Sequence, residues 1–149
     1  MNYKKSAYFN VIFDRLSVAL AAHYDNLNAL NIALLRILLE LLDIKTKVVC
    51  TSELSLSQKK DDLVIEIINA LGEHDYLSGK GAFEYMDISK FKDQGIAVHT
   101  FYFDHAEYTQ LWNKGNGFTP DLSVVDLLFN CLPDAHKYIN EHGVLEKVS

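Results

Sequence analysis

The sequence predicts an α/β protein: a small, mainly parallel sheet with a β-α-β-α-β core, flanked by helical N- and C-terminal segments. Three observations carry that prediction. Apolar residues recur at three- and four-residue steps before residue 43 and again after residue 120, which is helical spacing. Between them, β-branched and aromatic runs at 46–51, 76–77 and 96–103 alternate with amphipathic segments. Short strands separated by helices imply parallel neighbours joined by right-handed crossovers.

In chain order, residues 7–22 place Phe9, Ile12, Phe13, Leu16 and Leu20 on one helical face, with Asp14, Arg15 and Ser17 toward the other. Asn26 or Asn28 can cap the next helix, 28–43. That helix is apolar almost all round, so burial on more than one side is expected. Arg36 and Glu40 form its charged stripe, and Asn31 would need a partner if buried. Residues 46–51 read as a strand. Ser55 or Ser57 is a candidate cap for a third helix with Asp61 and Asp62 in its first turn, where the helix dipole favours them. Its buried face is Val64, Ile67, Ile68 and Leu71, and Gly72 ends it.

Tyr76-Leu77 is a short strand running into Ser78-Gly79-Lys80-Gly81, and a helix at 87–94 stops at Gly95. The strongest strand, 96–103, leads into a polar, aromatic stretch reaching Gly117. Helices at 122–130, after Pro120, and at 133–141, opened by Pro133, complete the pattern. No repeat, low-complexity run or long linker divides the chain, so 1–149 reads as one domain.

With 49% apolar and 23% charged residues, the 149-residue chain has the balance of an ordinary soluble protein. The most apolar segment, 32–42, is interrupted by Arg36 and Glu40, so a membrane span is not expected. The N-terminal residues make a poor secretory signal, and the expected location is cytoplasmic. A net charge of −6 with scattered lysines argues against nucleic acid as partner. Cys50 and Cys131 stand far apart, without zinc-type spacing, and fit a reducing compartment. The histidines have no His-x-x-x-His spacing, so no metal is expected.

Three groups of residues can carry chemistry, and the expectation is that they open onto one edge of the sheet. Ser78, Gly79, Lys80 and Gly81 form a glycine-rich turn between strand and helix. Unpaired amides, the helix dipole and the Lys80 charge all suit an anion there, while a plain turn would need the glycines only for positive φ. Asp104, His105, Tyr108 and Gln110 follow the strongest strand, at the end where open α/β sheets bind ligands. His105 is the candidate general base; the alternative is a loop histidine bonded to backbone. Ser123, Asp126 and Asn130 share a helical face. Ser123 reads as a helix cap with Asp126 completing a capping-box-like arrangement, or as a nucleophile if a base lies beside it.

Four blocks resemble the WbqC-like family. They are Tyr3-Lys4-Lys5-Ser6-Ala7-Tyr8-Phe9, Leu30-Asn31-Ile32-Ala33-Leu34, Tyr76-Leu77-Ser78-Gly79-x-Gly81 and Leu122-Ser123-Val124-Val125-Asp126-Leu127-Leu128-Phe129-Asn130. The last, preceded by Phe118-x-Pro120, is the most specific, and the blocks run in order over nearly the whole chain. The resemblance implies a bacterial protein of O-antigen or other surface-polysaccharide biosynthesis. Its expected ligand is a nucleotide-linked or phosphorylated sugar, with acyl or aminoacyl transfer to an amino sugar as the reaction. Ser78, Gly79, Lys80 and Gly81 would then hold the anion, with His105 moving a proton and Tyr108 and Gln110 orienting the acceptor. Ser123, Asp126 and Asn130 would support the site. The family's opening strand, of His-Gln-Pro-x-x-Phe-Pro-Trp type, has no counterpart before Tyr3, so the chain reads as an N-terminally shortened form. The alternative expectation is a non-catalytic scaffold or inactive truncated homologue that pairs through an exposed sheet edge, as a homo-oligomer or with a partner.

Overall fold

The computed structural model describes residues 3–104, 106–111, 115 and 117–148. It contains six α-helices and a three-stranded sheet among those residues. The chain forms two compact units, each built from two separate stretches of sequence, which is why no linker marks them.

One unit combines the chain up to Thr46 with the segment ending at His142. Helix α1 spans Phe9–Ala21 and α2 spans Leu27–Leu41, with the Asn26 side chain accepting from the Ala29 amide at 2.9 Å as N-cap. Ile12 and Ala19 are buried, and Leu16 packs against the same core, so the inward stripe is Ile12-Leu16-Ala19. Leu20 is exposed, contrary to expectation, because Ala19 is the residue on the inward face. Nor is α2 buried on several sides. None of its residues is fully buried and Leu35 is 44% exposed. Leu38 and Leu41 meet the core, while Glu40 pairs with Arg15 of α1. Asn31 is exposed and needs no protein partner.

Helix α5 (Val124–Cys131) supplies the centre of this core: Leu127, Leu128 and Phe129 are all buried. Ser123 caps it, its Oγ accepting from the Val125 amide at 3.3 Å. Helix α6 (Ala135–His142) follows and contributes the buried Ala135.

The other unit holds the sheet. Strand β1 (Asp75–Gly79) pairs parallel with β2 (Ala97–Phe103), and β2 pairs antiparallel with β3 (Gly143–Lys147). The sheet is therefore mixed, not mainly parallel, and its order is β1-β2-β3. Residues 46–51 are not a strand: they run extended into a single 3-10 turn at Thr51–Glu53. Their β-branched composition makes them able to pair but does not place them beside a strand, and β2 is flanked by β1 and β3 instead. Residues 143–147, unforeseen as a strand, take the second edge, where Leu145 pairs with Phe101 and Glu146 with Thr100.

Helix α3 (Lys60–Leu71) and α4 (Ile88–Asp93) pack on the sheet through Ile65, Ile68, Phe91, Ile96 and Val98. Neither Ser55 nor Ser57 caps α3; Lys59 holds that position without a capping side chain. The Glu66 carboxylate instead accepts from the Ser57 and Gln58 amides, each at 2.9 Å, and so ties down the preceding loop. Leu71 is exposed and Ile65 takes its place in the core. Asp62 forms an ion pair with Lys90 at 2.8 Å, and the Asp87 amide donates to Asp61 at 3.1 Å, which joins the starts of α3 and α4.

Gly72 ends α3 at φ 71°, with its amide and that of Glu73 reaching back to the last-turn carbonyls. Gly79 is different: φ is −74° and a side chain there would meet nothing within 4 Å. Gly72→Ala is expected to cost about 1 kcal/mol through the left-handed backbone alone. Gly79→Ala is expected to stay within about 0.5 kcal/mol of the parent. Denaturant unfolding of the two variants checks the contrast.

Candidate functional site

The Asp126 carboxylate lies in the first turn of α5, is 5% exposed, and accepts from three side chains. The Tyr3 hydroxyl donates to Oδ1 at 2.7 Å, and the Tyr108 hydroxyl and Gln110 Nε2 donate to Oδ2 at 2.7 and 3.1 Å. The helix dipole adds a favourable field at that position. Asp126 is thus a filled acceptor rather than a capping-box partner of Ser123.

Each donor is itself held. Tyr3 stacks on Phe129 with centroids 4.5 Å apart and planes 7° apart. Tyr108 meets Phe118 and Tyr138 edge-on, at 5.0 and 5.2 Å. Gln110 reads the Thr119 backbone twice at 2.9 Å, donating to its carbonyl and accepting from its amide. Asn130 accepts from the Leu111 amide at 2.9 Å and donates to the Asp126 carbonyl at 2.7 Å. The Ser6 hydroxyl donates to the Phe129 carbonyl, and Tyr138 donates to that of Ala106. The effect is a clamp: Tyr3, Tyr108 and Gln110 are fastened directly to the buried charge on α5, and Leu111 and Thr119 are held through Asn130 and Gln110.

Burial first, and the Asp126 hydrogen bond second, push the Tyr3 phenol up to about 12, and the same causes in the same order raise that of Tyr108. Both phenols therefore remain donors near neutral pH. Burial also raises the Cys131 thiol. Cys50 and Cys131 are both free.

On the sheet-bearing unit, Ser78 and Thr100 are Cα partners in the parallel pair, Ser78 one residue before the carboxyl end of β1 and Thr100 at the middle of β2. Ser78 is 4% exposed and Thr100 6%. The Ser78 hydroxyl donates to the Gly79 carbonyl at 3.3 Å, whereas the Thr100 hydroxyl has no hydrogen-bond partner among the described residues. The chain continues from Gly79 into a 3-10 helix, Lys80–Glu84. Neither Gly79 nor Gly81 has positive φ, so the turn differs from the glycine-dependent one expected. An α-helix dipole directly after the turn is also missing, because the following element is this short 3-10 stretch.

The structure thus gathers Tyr108, Gln110, Asp126 and Asn130 in one unit, with Ser123 capping the helix they share, and puts Ser78, Gly79 and Gly81 in the other. His105 lies outside the described residues. Sequence reasoning missed Tyr3 and Thr100. Tyr3 sits 123 positions from its partner, and no local pattern could pair them. Thr100 lies inside an ordinary strand pattern, and its missing partner is visible only once the sheet is assembled. Among the described residues no group of three or more His, Cys, Asp or Glu side chains is placed to hold a metal ion. No helix among them is long and apolar enough to cross a membrane.

The model of the WbqC-like protein family matches residues 1–138. The chain belongs to this family. Its similarity extends to the uncharacterized protein Rv1507c of Mycobacterium tuberculosis (strain ATCC 25618 / H37Rv), 32% identical over 140 residues. That alignment covers 93% of this chain and 59% of Rv1507c, so this WbqC-like chain spans about three-fifths of the length of the relative it matches. No solved structure matches it.

Asp126→Ala is expected to destabilise this WbqC-like protein by about 3 kcal/mol, since three donors lose their acceptor at once. Denaturant unfolding with unchanged slope checks it. The pH dependence has a definite sign. Unfolded tyrosine titrates near 10, and both phenols are raised in the folded state. Their stabilisation is whole below about pH 10 and is lost as pH rises through about 12. A Tyr3→Phe, Tyr108→Phe variant is expected to show a smaller alkaline fall in stability than the parent.

Proposed function

We infer that this WbqC-like protein acts on a nucleotide-linked or phosphorylated sugar in surface-polysaccharide or O-antigen biosynthesis. Transfer of an acyl or aminoacyl group to an amino sugar is the reaction that the family resemblance implies. The observation that carries the reading is the buried Thr100 hydroxyl, which has no hydrogen-bond partner among the described residues and lies opposite Ser78, one residue before the carboxyl end of β1. Buried hydroxyls are normally satisfied, and a vacant one marks a place for a ligand atom or water. Carboxyl ends of parallel strands are where α/β proteins bind small molecules. Gly79, Lys80 and Gly81 follow directly, and in this reading Lys80 supplies the charge for a phosphate. Tyr108 and Gln110, with Ser123, Asp126 and Asn130, are a separate candidate group in the other unit; the family resemblance implies that they orient an acceptor and that His105 transfers a proton.

A second reading has one observation in its favour. Strand β1 has a single partner, β2, and forms one edge of the sheet among the described residues. An unpaired edge suits a scaffold subunit that adds a strand from a second chain.

Calorimetric titration with a panel of nucleotide-sugars tests the leading reading. Lys80→Ala is expected to weaken binding about tenfold, the scale of one charge-assisted contact. Thr100→Val is expected to hold or raise stability by up to about 1 kcal/mol, because it removes an unsatisfied hydroxyl, yet to weaken binding. Equal binding by both variants and the parent overturns the reading. An inactive oligomer on gel filtration supports the edge-pairing alternative, and a monomer that turns over a sugar donor opposes it.

A further inference from the structure

The sheet-bearing unit contains a cavity of about 420 Å³ between α3, β1 and the residues just after Gly81. That size falls within the range of small-molecule sites. Val64, Tyr76, Ala82 and Met86 give it an apolar lining. Tyr76 is fixed, stacked on the buried Phe91 with centroids 5.5 Å apart and planes 12° apart. Tyr85 also lines the cavity and is 79% exposed, the most exposed of the large apolar and aromatic residues. Packing within the fold does not account for an aromatic ring left beside an apolar hollow.

Two charged residues complete the lining. Lys60 is exposed and has no hydrogen-bond or ion-pair partner among the described residues. Asp61 uses Oδ2 to accept from the Asp87 amide at 3.1 Å, which leaves Oδ1 without a hydrogen-bond partner among the described residues. A flat ring surface, a carboxylate oxygen able to accept from a hydroxyl, and an unpaired cation therefore line one hollow.

We propose that this cavity binds the nucleoside 5′-phosphate part of a ligand. The base lies against the Tyr76 and Tyr85 rings, where stacking does not depend on base identity. A ribose hydroxyl donates to Asp61 Oδ1, and the phosphate is placed by Lys60. A simple aromatic acid would leave Asp61 unused, and a bare sugar phosphate would leave the tyrosines unused. The proposal deepens the function inferred above, and it rests on that reading for which nucleotide-bearing compound is the natural ligand.

Calorimetric titration of the full chain with uridine 5′-monophosphate, adenosine 5′-monophosphate, uridine and ribose 5-phosphate tests it. Both nucleotides are expected to bind saturably, with ribose 5-phosphate about tenfold weaker for want of a base. Tyr85→Ala is expected to weaken nucleotide binding about tenfold, and Lys60→Ala to weaken the nucleotides but not uridine. Both side chains are exposed, so thermal unfolding of the variants should match the parent and exclude a folding defect. Absence of saturable nucleotide binding overturns the proposal, as does binding that neither substitution changes. Its failure is separable from that of the wider function. Nucleotide-sugars bound equally by the parent and Tyr85→Ala remove this cavity and leave the function standing. Nucleotides bound through Tyr85, with nucleotide-sugars held no tighter and never turned over, do the reverse.

Discussion

A carboxylate removed from water must have its acceptor positions filled, and in one unit of this protein that requirement organises everything around it. Asp126 meets it with two phenols and an amide drawn from opposite ends of the sequence. Because the donors are rigid aromatic or doubly anchored side chains, the bonds locate their segments as well as satisfy the charge. Tyr3 brings the N-terminal residues onto Phe129, Gln110 secures Thr119, and Asn130 holds Leu111. The hydrophobic cluster of Ile12, Leu42, Leu127, Leu128 and Phe129 gives this unit its cohesion. The polar clamp beside it places Tyr108, Gln110, Leu111 and Thr119, which apolar packing alone would not specify.

The sheet-bearing unit solves a different problem. Its central strand, β2, has two edges to satisfy, and it takes a parallel neighbour on one side and an antiparallel one on the other. Alternation along β2 turns Val98 and Thr100 inward, both nearly fully buried. Val98 joins the core with Phe91 and Ile96, whereas Thr100 buries a hydroxyl that the fold leaves unanswered. Valine at this position would keep the strand pattern without burying a hydroxyl. The residues that follow β1 then form the wall of a hollow with an exposed tyrosine and an unpaired lysine on its lining.

Membership in the WbqC-like family rests on the family model's match over residues 1–138. What the structure adds is a division of labour among the motif residues. Those in the last block, from Ser123 to Asn130, cap α5 and clamp loops to it. Those around Ser78 lie on β1, where Ser78 is buried opposite Thr100, whose hydroxyl has no hydrogen-bond partner among the described residues.

Helix positions, the Gly72 and Gly95 stops, the Asn26 and Ser123 caps and the β1-α4-β2 unit were legible in the sequence, because periodicity and capping act over a few residues. Which apolar residues face inward was less legible. Leu20 and Leu71 fit the helical spacing yet lie outside, since the spacing defines a stripe about 100° wide and only the neighbouring element chooses its centre. The strand at 46–51 failed for a related reason: β-branched composition makes a segment able to pair, but only the folded chain decides which segment lies beside a strand. Only the tertiary structure decided that Gly143–Lys147 takes the second edge of β2, that Tyr3 and Asp126 meet, and that the Thr100 hydroxyl has no hydrogen-bond partner among the described residues. Each of these is a contact between residues far apart in the chain, and local sequence carries no record of such a contact until the fold closes it.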